Sequence, residues 1–470
     1  MAAFYFRFQA VSEPSATADG SDLFNESEIW NFQMASLTYK QLLTQNRNFR
    51  NLWLGQVVSE LGNWFNFIAA LGLVRAVSGA SPEVATILLL MRTAPFSVSA
   101  LFAGALNLRW SRKTVLLATD LLRGVVALGF LLVRRPEDLW IAYLCMALLS
   151  ILTAFFEAAK NAAMPNVTGE NGLLAGNALL FSSRFLLMSV GAALGGWASA
   201  IFGYDSAFII NAVSFVVSAY SVWLVPSEAM HEPARSELPL GAVETAVTSV
   251  FADMREGWSF IRRQPLVLTI IAVNTIWAIG GGAINIIAER LGGVVFAGRD
   301  GLSPDAAVAV LYTASGAGLF FGMMIAHRTD AFVRRRNLLV PFIGWFLVLQ
   351  GALYAVAGQM PNVWLVGAVM LVSRVLLGVE YAVQETIFIK SIPDNLRGRV
   401  MTTDRAVEIS VFSLSSVAAG YSLTVISPAT LTVFSGLCSS ISGVYWLIRT
   451  KRGRSVSTML EANQLVEIKP

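Results

Sequence analysis

Apolar runs of about twenty residues alternate with short polar turns, many of them basic, over most of this chain. Twenty helical residues rise ~30 Å, the thickness of a bilayer's hydrocarbon layer, so each run predicts a membrane crossing. Six runs fall at about 52–76, 84–106, 114–133, 139–158, 177–202 and 205–224. Six more follow at about 267–287, 305–325, 337–356, 363–381, 406–426 and 430–448. The polar stretch between the two sets has a second half with Val247, Val250, Phe251, Met254, Trp258 and Ile261 on one helical face. Asp253, Arg255, Glu256 and Arg262 lie opposite, the pattern of a helix resting on a membrane surface. A shorter amphipathic piece, Leu42 to Phe49, with Lys40, Arg47 and Arg50 about it, reads as an interfacial helix leading into the first crossing. The first 33 residues are polar and mixed, lack a signal-peptide pattern and read as disordered, and a start at Met34 is an open alternative. The predicted organisation is an extension with interfacial segment over 1–48, a six-helix bundle over 49–225, a linker over 226–263, a second six-helix bundle over 264–449 and a tail over 450–470. The fold class is an all-α membrane protein of twelve transmembrane helices in two pseudo-symmetric bundles.

Composition agrees: 55% of residues are hydrophobic and 14% charged, where soluble domains carry roughly a quarter charged, and mean hydropathy is +0.62. Most of the surface therefore faces lipid. The net charge of +4 is modest and its basic residues sit at the ends of runs rather than on one face, which excludes nucleic acid as a partner. Cys145 and Cys438 lie within apolar runs as small hydrophobes, and neither a disulfide framework nor a metal site is implied. Both histidines, His231 and His327, fall in polar connecting segments, so a proton relay inside the membrane has only carboxylates to use. There is no Gly-x-x-x-x-Gly-Lys-Ser/Thr loop, so any transport draws on a gradient rather than on ATP held by this chain. With no His-Glu-x-x-His and no Gly-x-Ser-x-Gly, nothing points to an enzyme or a cofactor.

Basic residues sort by side. Arg109, Arg112, Lys113, Lys160, Arg262, Arg263, Arg328, Arg334, Arg335, Arg336, Lys390, Arg397 and Arg399 fall on one face, which the positive-inside rule makes cytoplasmic. Arg134, Arg135, Arg290 and Arg299 are exceptions, partly balanced by Glu137, Asp138, Glu289 and Asp300. Twelve crossings put both termini in the cytoplasm of a multi-pass protein of the plasma (bacterial inner) membrane. Two hinges repeat across the halves: Gly104 before Arg109, Arg112 and Lys113, and Gly322 before Arg328 and Arg334 to Arg336. Pro165-Asn166 likewise matches Pro393-Asp394. Duplicated bundles around a central path suit a carrier that works by alternating access.

A charge within the hydrocarbon costs about 2.5–3.5 kcal/mol on insertion scales, so each one asks for a reason. Glu60 lies ~12 Å into the first run, and Gln56, Glu60 and Asn63 form a stripe at i, i+4 and i+7. Asn274, Ala278, Gly281 and Asn285 repeat it on the seventh run, and Tyr143, Ser150, Thr153 and Glu157 share a face of the fourth. Glu60 is open to two readings, a cavity-facing proton or substrate site and a buried structural hydrogen bond. Asp120 and Arg123, at i and i+3, can neutralise each other or belong to the path. Arg92 and Arg184 have no partner in their own helices and can meet Glu60, Asp120 or an anionic substrate. Arg374 is placed mid-run with Glu380 six residues on, facing either the cavity or the membrane edge. The 12 Trp and 29 Phe residues are ordinary for lipid-facing positions and define no aromatic substrate box.

Several stretches together resemble the major facilitator superfamily, in the branch that contains the enterobactin exporter and macrolide-efflux proteins. They are Phe49-Arg50-Asn51-Leu52-Trp53-Leu54-Gly55-Gln56, Ser59-Glu60-Leu61-Gly62-Asn63-Trp64, the hinge at 104–116, Asp120-Leu121-Leu122-Arg123, Pro165 with Asn177-Ala178-Leu179, and Pro393-Asp394-Asn395-Leu396-Arg397-Gly398-Arg399-Val400. The resemblance implies a cavity lined by the first, fourth, seventh and tenth crossings. It also implies proton-coupled export of an amphipathic small molecule, such as a siderophore or macrolide-type antibiotic, by a monomer in the lipid bilayer. Import or facilitated passage of a lysophospholipid or organic anion on the same fold is the alternative, and a transport-silent membrane scaffold or sensor is a third. Two positions depart from the family. Leu108 stands where the family's hinge carries an acid that helps latch the halves on the cytoplasmic side. In Gly191-Ala192-Ala193-Leu194-Gly195-Gly196, Ala192 replaces the usual proline of the antiporter element, leaving Gly191, Gly195 and Gly196 to act either in gating or in plain helix packing.

Overall fold

The computed structural model describes residues 37–106, 110–230, 242–335 and 338–452, and among these no strand occurs. A short α1 (Tyr39–Gln45) begins with a capping box, in which the Thr38 hydroxyl accepts from the Gln41 amide and Gln41 Oε1 accepts from the Thr38 amide. Asn46 caps α2 (Arg47–Val77) by accepting from Phe49 N at 2.9 Å, while its side-chain amide donates to Val167 O. Then come α3 (Pro82–Leu106), α4 (Arg112–Leu128), α5 (Leu139–Thr168) and α6 (Glu170–Trp223). Gly203, at φ 77°, breaks α6 into two passes, a conformation that glycine adopts without the steric cost of a side chain.

The second half repeats the scheme after α7 (Ala242–Arg263). Its crossings are α8 (Pro265–Gly281) continued by α9 (Ile284–Arg290), then α10 (Pro304–Arg335), α11 (Leu339–Ala357), α12 (Val363–Lys390), α13 (Asp394–Ser422) and α14 (Pro428–Arg452). Among the described residues, ten helical stretches are long and apolar enough to cross a membrane, and the 53-residue one holds both passes of α6. The eleventh crossing, α13, has the length but not the apolarity, because Asp404, Arg405 and Glu408 lie in its first half. We call the face bearing Arg47 and Arg452 proximal and the opposite face distal.

Apolar packing differs between the faces. One buried cluster joins both halves, with Phe67, Leu71, Leu88 and Phe208 meeting Ile286, Ile287, Val308 and Leu311 in the distal part. Towards the proximal face the core splits in two. Leu42, Phe49, Leu116, Phe156 and Met164 pack within the first half, and Ile261, Ile270, Ile343, Ile387 and Trp446 within the second. Small residues permit the distal contact: a Cβ at Gly196 of α6 would strike Ala309 of α10, and Ser189 and Thr313 exchange hydrogen bonds between hydroxyls and carbonyls one level deeper.

Three expectations need correction. The fourth crossing does not stop near Ala158 but runs to Thr168, because Lys160 is buried against Glu157 and Gln56 rather than projecting from a loop. Glu289 and Arg290 are buried in α9, not loop charges. The linker helix α7 is not simply laid on a membrane: Arg399 of α13 binds Asp253 at 2.9 Å and Glu256 at 2.5 Å, Gly257 sits against the Arg399 backbone, and Ile261 is fully buried. The side chains of Val247, Val250 and Phe251, and the extension over 1–33, lie outside the described residues.

Candidate functional site

A cavity of about 290 Å³ separates the halves. Its first wall is polar and charged: Glu60 and Asn63 from α2, Arg92 from α3, Ser150 and Thr153 from α5, and Arg184 from α6. The facing wall comes from Trp277 of α8 and from Arg405, Glu408 and Phe412 of α13. A second cavity shares Glu60 and Arg184 and continues between α2, α5 and α6, past Gln56, Glu157 and Lys160, towards the proximal ends at Pro165 and Leu173. The sequence stripe thus comes together as a lining: Gln56, Glu60, Asn63, Arg92, Glu157 and Arg184 all border this space.

Arg92 is seated rather than paired. Its guanidinium lies 3.9 Å from the Phe67 ring centroid and 5.3 Å from that of Trp64, and both rings contact Tyr312 of α10. Cation–π contact stabilises a desolvated guanidinium by up to about 2 kcal/mol while leaving its hydrogen-bond donors available. This aromatic seat, drawn from both halves, was not legible in the sequence, where Trp and Phe content looked ordinary. Among the described residues, Glu60 is offered a single long hydrogen bond, 3.5 Å, from the Asn63 amide. Glu157 is bound by Lys160 Nζ at 2.6 Å, which also donates to Gln56 Oε1 at 3.3 Å. Across the cavity Arg405 donates to Glu408 at 2.6 Å, to the Tyr381 hydroxyl at 2.6 Å and to Glu385 at 3.5 Å. Sequence reading began the eleventh crossing after Arg405 and missed this group, although the i, i+3 spacing of Arg405 and Glu408 was a signal.

Five other predicted residues stand apart from the two cavities. Asp120 and Arg123 form a buried ion pair, with Ser218 donating to Asp120 at 2.8 Å and Arg123 held between the rings of Phe156 and Phe215. Their helix presents Leu121, Leu122 and Val125 outwards, so it is peripheral and this pair serves the bundle. Asn274 accepts from Gln384 Nε2 at 3.1 Å inside the second half. Arg374 lies over the Tyr354 ring at 4.8 Å, in a small polar pocket with Gln350 and Ser439. Glu380 is buried with Oε1 unpartnered.

Of the hinge residues, Arg112 donates to Met230 O at 2.8 Å, in the short turn after α6, and Lys113 donates to Trp223 O and Val225 O at the end of α6, where helix polarity favours a cation. Gly104 is exposed with open space around it, so no close helix approach depends on it. Gly191 and Gly195 abut Trp64 and Phe65 of α2, and Gly322 of α10 abuts Gly378 of α12. Leu108 and Arg109, and the side chain of Arg328, lie outside the described residues.

The distal end is sealed by a cluster the sequence did not disclose. Arg75, at the end of α2, pairs with Glu289 of α9 at 3.1 Å and with Asp305 of α10. The Tyr204 hydroxyl donates to Asp305 at 3.0 Å, and Arg290 donates to Ala80 O at 2.6 Å. Two arginines and two acids therefore cross from one half to the other, all nine-tenths buried.

Paired bundles of helices enclosing a charged cavity, sealed at one end, define the architecture of a membrane carrier. The chain belongs to the Major Facilitator Superfamily, whose family model matches residues 52–403. Among relatives, it is 27% identical over 233 residues to the MFS-type transporter YfiS of Bacillus subtilis (strain 168), 49% of this chain and 53% of that protein. It is 26% identical over 198 residues to BacE of the same organism, a protein provisionally named for bacilysin export, covering 41% and 46%. These matches span about half the length of each relative. A bacterial homologue of the iron transporter ferroportin, solved in an inward-facing state, superposes with a TM-score of 0.61 at 14% identity over 85% of this chain and 98% of that one, a likeness of fold.

Proposed function

We propose that this chain is a secondary active transporter that exports a small amphipathic molecule across the plasma membrane by alternating access, as a proton-driven monomer with its termini in the cytoplasm. One observation carries the reading: the cavity lies between halves whose cores are fused distally and separate proximally. Such an arrangement has an obvious alternative, in which the proximal ends meet and the Arg75 cluster parts. Glu60, Arg92 and Arg184 border the cavity without ion-pair partners among the described residues, which leaves their charge for a ligand or a proton. Phe412, Ile409 and Trp277 on the other wall suit an apolar body. The direction is supported by the likeness to BacE, and the relatives name neither a siderophore nor a macrolide, so the substrate class is kept broad.

Accumulation of labelled drugs and siderophores in an efflux-deficient bacterial host tests the proposal. The intact chain lowers accumulation, while an uncoupler or Glu60→Gln abolishes the effect. Unchanged accumulation across a broad panel, with correct membrane insertion, removes the exporter reading. Two arginines without acidic partners at the cavity favour one second reading, uptake of an organic anion, which the same cells report as raised accumulation.

A further inference from the structure

On the wall opposite Glu60, one turn of α13 carries Asp404, Arg405 and Glu408, and α12 brings Glu385 beside them. Arg405 divides its guanidinium between Glu408, Tyr381 and Glu385. Three carboxyl groups thus surround one guanidinium, where the distal cluster sets two acids against two arginines. Arg405 and Glu408 border the cavity. Asp404 does not: it is 2% exposed, and its Oδ1 meets no hydrogen-bond donor. Its polar neighbour is Asn274 of α8. Because Gln384 donates to Asn274 Oδ1, the Asn274 amide nitrogen is turned towards the Asp404 carboxyl.

A carboxylate so enclosed, with one oxygen unpaired and acids for neighbours, is a poor resting place for negative charge. We infer that Asp404 is a proton-binding site of the second half, loaded while the cavity is empty and held in place by Asn274 and Gln384. The charged groups around it are Glu408 and Arg405 on its own helix and Glu385 with Tyr381 on α12. Asp253 and Glu256 of α7 are engaged by Arg399, and Arg92 of α3 is stacked on Phe67. Coupling follows from charge balance. A cationic group drawn to Glu408 brings one positive charge into the cluster, and release of one proton from Asp404 restores the balance, which is exchange of substrate for a proton. This inference rests on the exporter reading for its role in transport, but not for the existence of the proton site.

Infrared titration of the purified full-length protein reads the site without any substrate. The wild-type chain shows a protonated-carboxyl C=O band that disappears as pH rises. Asp404→Asn lacks the band, Glu60→Gln keeps it, and Gln384→Leu, which leaves Asp404 in place but frees Asn274, moves its midpoint. A band that survives in Asp404→Asn, or a midpoint unmoved in Gln384→Leu, overturns the proposal, as does its loss in Glu60→Gln alone. Dicyclohexylcarbodiimide, which modifies protonated buried carboxyls, is expected to add mass to the peptide containing Asp404, and labelling confined to other peptides would also overturn it. If the band follows Asp404 while the cells show no uncoupler-sensitive export, the exporter reading fails and the proton site stands.

Discussion

The two faces of this molecule hold their ion pairs in different surroundings. Distally, a shared apolar core surrounds the ion pairs of Arg75 with Glu289 and Asp305, each side chain no more than 9% exposed. Proximally, the halves keep separate cores, and Arg399 meets Asp253 and Glu256 with side chains 39–52% exposed. Ion pairs of the same chemistry should therefore contribute very differently. Removing one member of a buried pair strands its partner in a dry site, while an exposed pair exchanges its contact for water. The distal face is a cooperative seal and the proximal contact a weak tie.

Mutations can break this comparison in order of effect. Arg75→Ala takes the arginine from Asp305 and leaves Glu289 with Arg290 at 3.5 Å, and should destabilise the distally closed state by about 3–5 kcal/mol. A cysteine placed on the distal side of the cavity then becomes reactive to a membrane-impermeant thiol reagent, and unchanged protection would show that apolar packing alone holds the seal. Gly196→Leu forces a side chain into Ala309 and should cost the same state about 1–3 kcal/mol, seen in the same labelling and in a lowered Tm. Arg399→Ala should cost only about 0.2–1 kcal/mol, a difference that vanishes at high salt. The fourth change tests whether burial, rather than the face, decides. Arg134 and Asp205 pair at 2.8 Å on the distal side but are 58% and 48% exposed, so Arg134→Ala should leave Tm unchanged.

Sequence patterning disclosed the crossings and their duplication because hydropathy is written locally, in runs of about twenty residues. It also found Glu60, Arg92 and Arg184, whose depth is a matter of counting along a helix. Depth does not give direction around the helix axis, which is why Asp120 and Arg123 could be read either as a self-neutralising pair or as part of the path, and α4 turns them into the bundle as a pair. The distal cluster was beyond the same reasoning for another cause. Arg75, Glu289 and Asp305 stand near the ends of apolar runs, where charges are expected in water, and their pairing joins positions 214 and 230 residues apart. Asp404 was hidden because its helix is too polar to be read whole, so the crossing was started two residues past it.

The connection between the halves has a mechanical meaning of its own. A 22-residue helix is a rod of ~33 Å, and α7 runs through Gln264 into Pro265, the first residue of α8, with no slack at that junction. A rod fixed to one body and pressed against α13 carries torque, which a loose string would not. Rotation of the second half must therefore swing α7 with it, so this rod belongs to the moving body rather than to the space between the two.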